Sequence, residues 1–171
     1  TSSCTAAEAV IKLLVRADME RGRFFPMEGT TTHKTAARPF KTDIARHNIH
    51  NVTCYDPSAG SGTLLMALAH QIGVERCQIY SQDISQKSSQ MLRLNLILNQ
   101  LVKSIQNIVK GDTLLEPAHK EQNGSLKKFD YIVSNPPFNL DFSDTRDRIA
   151  TDTVRFLAGV PAATGKDKSK M

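Results

Sequence analysis

VTCYDPSAGSGTLLMALAHQIG, Val52 to Gly73, decides the fold. VTCYD is a short run of β-branched, apolar and aromatic residues ending on an acid, and it reads as a strand. PSAGSG is a tight loop, and TLLMALAHQIG carries helical spacing closed by Gly73. The pattern then repeats. QIYSQD, Gln78 to Asp83, is a second strand, and Ser85 to about Gln100 is a helix with Met91, Leu94, Leu98 and Leu101 along one face. A third strand is expected near Gln106 to Lys110, LLEPAHKEQNGSLKK is a polar connector, and FDYIVSNPP is the fourth strand. Strands alternating with helices predict an α/β fold with a parallel sheet wound through right-handed crossovers.

Upstream the signals differ. Thr5-Ala6-Ala7-Glu8 fits a capping box, and Val10, Ile11, Leu14 and Val15 predict an amphipathic helix from about Ala6 to Met19. Residues 21–51 have Gly, Pro and Thr clusters and no sustained period, so they read as an irregular insert. His33, His47 and His50 fall there in a spacing that suits no standard metal site, and they read as surface histidines.

The 171 residues suffice for one domain with a real core, and 40% hydrophobic with 23% charged content is globular rather than disordered. The densest apolar run, Leu64 to Ala69, is far too short to cross a membrane. Three cysteines, Cys4, Cys54 and Cys77, form no CxxC pair, which predicts buried thiols in a reducing, cytoplasmic setting. The net charge of +5 permits a nucleic-acid partner without requiring one. Part of it lies in residues 162–171, read as a mobile basic tail. The chain opens at Thr1, which predicts a preceding segment.

In a parallel sheet, ligands bind beyond the carboxyl ends of the strands. The unusual residues all fall there: Asp56, Asp83, Asp112 and Asn135 each follow an expected strand. Gly60 and Gly62 permit positive φ and close approach of a ligand to the backbone. The helix start at Thr63 offers N–H groups to an anion. Asp83 stands about 20 residues beyond, where an acid meets ribose hydroxyls in nucleoside-cofactor folds. Leu65 occupies the place of the third glycine of the dinucleotide fingerprint, so a nucleoside without pyrophosphate fits better. S-adenosyl-L-methionine is such a molecule, with a carboxylate for the helix start and an ammonium for Asp56. The alternative for Asp83 is a helix cap. In SNPPFN, two prolines remove two backbone donors and hold Asn135 extended, which aims its amide. The alternative there is a rigid strand end with Phe138 in the core.

DPSAGSG at 56–62, QD at 82–83, GD at 111–112 and NPPF at 135–138 stand in the order found in adenine-N6 DNA methyltransferases. The combination most resembles the modification (methyltransferase) subunit of type I restriction-modification systems, as do FDYIVSNPPFN and RFLAGVP at 155–161. The resemblance implies a Rossmann-like methyltransferase fold with a mainly parallel sheet. Residues 1–171 would be a partial catalytic domain, the cofactor-binding half of a larger protein. It implies a cofactor site of Asp56, Pro57, Ser58, Gly60, Ser61, Gly62, Asp83, Ile84, Asp112 and Thr113. Asp83 would hold the ribose and Asp112 the cofactor's adenine. Asn135 and the Pro136 carbonyl would accept the hydrogens of a target amine, with Pro137 holding the turn and Phe138 stacking on an extruded base. The implied partners are double-stranded DNA, a specificity subunit and a restriction subunit, with no membrane. The aromatic-Thr-Pro element usual in the family has no counterpart at Thr1-Ser2. Methyltransferases of RNA bases or of protein glutamine share the NPP-aromatic turn, and a non-catalytic assembly module is the remaining alternative.

Overall fold

The computed structural model describes residues 51–137, 143–156 and 159–160. The expected helix at 6–19, residues 21–50 of the insert, Cys4, His33, His47, His50, Phe138 and the basic tail lie outside the described residues. Elements follow in the order β1 (Val52–Asp56), α1 (Thr63–Ile72), β2 (Cys77–Asp83), α2 (Gln86–Leu98), β3 (Ile108–Lys110), β4 (Tyr131–Ile132) and α3 (Ser143–Ile149). The four strands form one sheet in the order β3-β2-β1-β4, and every pairing is parallel. The sheet is the expected one, with every strand's carboxyl end on the same edge.

Alternation along the strands builds two cores. Val52, Cys54, Cys77, Ile79, Ile108 and Tyr131 face α1 and α2, meeting Leu65, Leu68, Ala69, Leu92 and Leu96. Tyr55 and Ile132 face the other way, against Leu114, Ile149 and Phe156, with Tyr80 and Phe129 beside them. Each fully buried Leu or Ile contributes about 1.5–3 kcal/mol. Cys54 and Cys77 are both buried free thiols, as their spacing suggests.

Two sequence expectations need correction. The inward face of α2 is Ser89, Leu92 and Leu96, while Met91, Leu94 and Leu98 are 46%, 48% and 70% exposed. Both sets follow the same i, i+3, i+7 spacing, so helical period alone cannot choose between them. Leu101, the fourth member of the expected stripe, is buried because the chain has already left the helix. Leu101 N–H donates to the Leu96 carbonyl (2.8 Å) and Gln100 N–H to that of Ile97 (3.2 Å), a Schellman closure that turns Leu101 inward.

The second correction concerns the edge strands, which are shorter than their sequences suggest. Gln106 and Asn107 belong to a 3-10 turn, Val102–Asn107, and β4 is confined to Tyr131–Ile132. Side chains replace the missing pairing. Ile79 N–H donates to Ser104 Oγ (2.9 Å), and Asn107 Nδ2 donates to the Ile79 carbonyl (3.1 Å). Across the sheet, Asp130 Oδ2 accepts from Thr53 N–H at 2.9 Å and from its hydroxyl at 2.8 Å. Backbone groups left by short strands are thereby satisfied. Helix α3 carries one buried apolar residue, Ile149, among charged neighbours, too little periodicity to betray it in the sequence.

Candidate functional site

Parallel pairing brings Asp56, Asp83, Asp112 and Asn135 to one edge, at or just past the ends of β1, β2, β3 and β4. Their meeting point is the loop between β1 and α1. Gly62 N–H donates to the Ala59 carbonyl (2.8 Å) and closes the turn. Each neighbouring element then ties the loop down. Asp83 Oδ2 accepts from Gly60 N–H at 2.8 Å, and Thr113 Oγ1 donates to the Pro57 carbonyl at 2.8 Å. Asn95 of α2 donates through Nδ2 to the Ser61 carbonyl (2.8 Å), and the Ser58 and Ser134 hydroxyls lie 2.8 Å apart.

Asp56 is 1% exposed. Its Oδ1 accepts from Ser58 N–H (2.9 Å) and from the Ser58 hydroxyl (3.4 Å). Desolvation nevertheless raises its pKa to about 7, with Asp83 adding repulsion against the Ser58 bonds. A buried carboxyl in that state is stabilised by any cation delivered beside it. Asp83 gives its second oxygen to Ser85 N–H (2.8 Å), while Ser85 itself caps α2 by accepting from Ser88 N–H (3.2 Å). Asp83 is thus the anchor of the glycine loop rather than the helix cap. Ile84, beside it, is 66% exposed and presents an apolar surface at the same edge. Asp112 Oδ1 accepts from Leu114 N–H (2.9 Å), which fixes the turn after β3.

The two glycines have different reasons to be glycine. Gly60, at φ 54°, has nothing within 4 Å of where a Cβ would stand, so the space beside it is open. Gly62, at φ 83°, would place a Cβ 2.1 Å from Leu92 Cδ1, so it lets α2 pack against the loop. Gly62 also begins α1 with no side-chain cap, which leaves first-turn N–H groups available to an anion. Ser61 faces Thr63, hydroxyl to hydroxyl at 3.2 Å.

On the β4 side, Val133 N–H donates to the Tyr55 carbonyl (3.0 Å) and carries sheet pairing one residue beyond the strand. Asn135 and Pro137 are exposed and Pro136 is buried. Sequence reasoning missed Ser134 and Asn95, which hold the loop from two sides, and Gln82. The buried Gln82 donates to the Glu116 carbonyl (2.7 Å) and accepts from Ala118 N–H (2.9 Å), pinning the connector beneath the site. A glutamine amid a buried strand was the available signal for the last. Nothing local marks Ser134, whose partner is far away in sequence. Among the described residues there is no cluster of His, Cys, Asp or Glu fit for a metal, and no helix long and apolar enough to cross a membrane.

The chain is similar to known proteins. The chain is 29% identical over 119 residues to the type I restriction enzyme MpnII methylase subunit of Mycoplasma pneumoniae, covering 66% of this chain and 22% of that protein. It is 26% identical over 145 residues to the type I restriction enzyme MjaIX methylase subunit of Methanocaldococcus jannaschii, covering 81% and 24%. The chain therefore spans about a quarter of the length of these relatives. Its fold matches the crystal structure of a type I restriction-modification methyltransferase subunit from Streptococcus thermophilus, with TM-score 0.62, 21% identity, and coverage of 83% of this chain and 30% of that one. The family model described as N-6 DNA Methylase matches residues 35–170, and the chain belongs to that family.

Proposed function

We propose that this chain is the cofactor- and amine-binding part of a cytoplasmic methyltransferase acting on the N6 amine of adenine in double-stranded DNA. It would work as the methylase subunit of a type I restriction-modification complex, beside a specificity subunit and a restriction subunit. The observation that carries this reading is that the glycine loop and the Asn-Pro-Pro turn meet at one sheet edge. Family membership and the names of the relatives support the choice of adenine and of the type I complex.

The residues fit S-adenosyl-L-methionine. The open space at Gly60 and the uncapped start of α1 suit its backbone and carboxylate. The buried, desolvated Asp56 suits its ammonium. Asp83 would hold the ribose through lone pairs left free by its backbone bonds, with Ile84 and Asp112 beside the adenine. Pro57, Ser58, Ser61, Gly62 and Thr113 hold the loop in shape. When bound, this cofactor supplies an electrophilic methyl group on a sulfonium.

The chain's own task at the other side is to ready a poor nucleophile, because the adenine amine is delocalised into its ring. Asn135 Oδ1 and the Pro136 carbonyl would accept its two hydrogens and draw the nitrogen toward a tetrahedral shape. Two prolines keep both acceptors aimed in advance, which is electrostatic preorganisation with alignment rather than general-base catalysis. Phe138 would stack on the extruded base.

Methyl transfer by the complete subunit with its partners tests this, with labelled cofactor and adenine-containing duplex DNA, RNA and protein offered together. Label is expected in DNA. Asn135→Ala is expected to lose at least about 100-fold in rate with cofactor affinity little changed, as when an oriented polar group is removed from an active site. Label confined to RNA or protein overturns the DNA assignment, and wild-type transfer by Asn135→Ala reduces the turn to scaffolding.

A further inference from the structure

We propose that Ser134 is a positioning residue that, with Ser58, couples the cofactor loop to the amine-accepting turn; this rests on the methyltransferase reading above. The two hydroxyls lie 2.8 Å apart in a half-buried site and join segments 76 residues apart in sequence. Ser58 has a second partner, since its hydroxyl reaches Asp56 Oδ1 at 3.4 Å. When Ser58 donates to that carboxyl, Ser134 is left to donate to Ser58. The result is a directed chain from turn to loop to acid, in which each bond polarises the next.

The place of Ser134 gives the contact its consequence. Strand β4 pairs with β1 only at Tyr131 and Ile132, and the Val133 N–H bond to Tyr55 (3.0 Å) extends that pairing by one residue. Asn135 follows directly, and the prolines after it allow little local adjustment. The register of Asn135 against the glycine loop therefore passes through the Ser134 hydroxyl. A methyl donor held by the loop and an amine held by the turn must meet in line, and an error of about 1 Å costs on the order of 100-fold in rate. A bond joining the two holders sets that alignment without touching either ligand. Its loss is expected in the rate of transfer and not in affinity, whereas a merely structural hydroxyl would lower thermal stability and leave the rate of the folded enzyme alone.

The test is a double-mutant cycle in the complete methylase subunit within its complex. Ser134→Ala is expected to slow single-turnover transfer to adenine-containing duplex DNA by about tenfold. Affinity for S-adenosylmethionine and the melting temperature should stay close to wild type. Ser58→Ala, which also loses the contact to Asp56, is expected to slow transfer as well. The double variant should be no slower than the slower single, because both singles already remove the bond between the two serines. Wild-type transfer by Ser134→Ala, or losses that multiply in the double variant, overturns the proposal.

Hydrogen exchange across Tyr131–Asn135 gives a readout independent of transfer. S-adenosylhomocysteine is expected to slow exchange there in wild type by about tenfold and to have no such effect in Ser134→Ala. Equal protection in both proteins overturns the coupling. A wild-type complex that shows the protection yet methylates no adenine overturns the DNA reading while the coupling stands, so the two failures are distinguishable.

Discussion

Helices α1 and α2 lie side by side on one face of the sheet, yet their ends are built differently. Helix α2 starts with a conventional cap, Ser85 accepting from Ser88 N–H at 3.2 Å. Helix α1 starts at Gly62 with no side-chain cap, and the strand that leads into its loop ends on a buried acid whose pKa is raised to about 7. Local rules are satisfied at the start of α2 and broken at the start of α1. A start that lacks its own cap and sits beside a buried, desolvated acid is suited to completion from outside. On the proposed reading, the difference separates a structural helix end from a cofactor-binding one.

The most severe way to break this comparison is at the glycine that joins the helices. Gly62→Val drives a side chain into Leu92 and strains a left-handed backbone, and roughly 2–5 kcal/mol of stability should be lost. Gly60→Val meets no protein atom within 4 Å and bears only the strain of its φ of 54°. It should fold, with a melting temperature only modestly lower, and fail to bind S-adenosylmethionine in calorimetry. Cofactor binding by a folded Gly60→Val removes this loop from the cofactor site.

The same contact shows how much was legible in the sequence. Strand order of appearance, the parallel sheet and the edge that collects Asp56, Asp83, Asp112 and Asn135 all follow from alternation and from polar residues at apolar run ends. The inward face of α2 does not, because Leu92 and Leu96 face the core while Met91, Leu94 and Leu98 present an equally regular stripe outward. What selects Leu92 is Gly62, distant in sequence and lacking a Cβ. Ser134, Asn95 and Asp130 were hidden for the same reason: each acts on a group of another segment, which spacing cannot reveal. The length of the edge strands also escaped, since Ser104, Asn107 and Asp130 supply by side chain what pairing would have supplied.

A finer separation of stability from binding is available at Asp56. Burial raises its pKa from 3.8 to about 7, so the folded chain keeps a proton that the unfolded chain gives up. Stability is therefore lost as pH rises between about 4 and 7 and is level above that range. Asp56→Asn should abolish this slope and, at pH 8, be more stable than wild type by roughly 2–4 kcal/mol. Binding should move the other way. Wild-type affinity for the cationic cofactor should rise with pH up to about 7 as the carboxylate forms, while Asp56→Asn binds weakly at every pH. Asp83 is the charged group that faces Asp56 and adds its repulsion there. Melting curves and calorimetry from pH 5 to 8 check both halves, and an unchanged pH dependence of binding in Asp56→Asn would remove the acid from the ammonium's site.

The smallest effect is expected at the far ends of the same two helices, away from the glycine loop. Helix α1 ends on Gly73 at φ 110°, with its N–H donating to the Ala69 carbonyl at 2.8 Å. Helix α2 ends through Gln100 at φ 62°, a left-handed position that usually takes glycine. The glutamine bears the steric cost of its Cβ there, and its neighbours Leu101 and Leu96 retain the closing bond whatever side chain stands at 100. Gln100→Gly should therefore stabilise the protein by about 0.5–1 kcal/mol, the relief of strain being partly offset by a more flexible unfolded chain. Gly73→Ala is the mirror experiment: its Cβ would stand 2.8 Å from Glu75 Oε1 in a backbone that disfavours any Cβ, and about 1–2 kcal/mol should be lost. Neither change should alter cofactor affinity, because both lie at the opposite edge of the sheet from Gly60. Chemical denaturation of each variant measures the difference, and a destabilised Gln100→Gly would mean that the glutamine side chain holds the helix end through a contact stronger than the strain it bears.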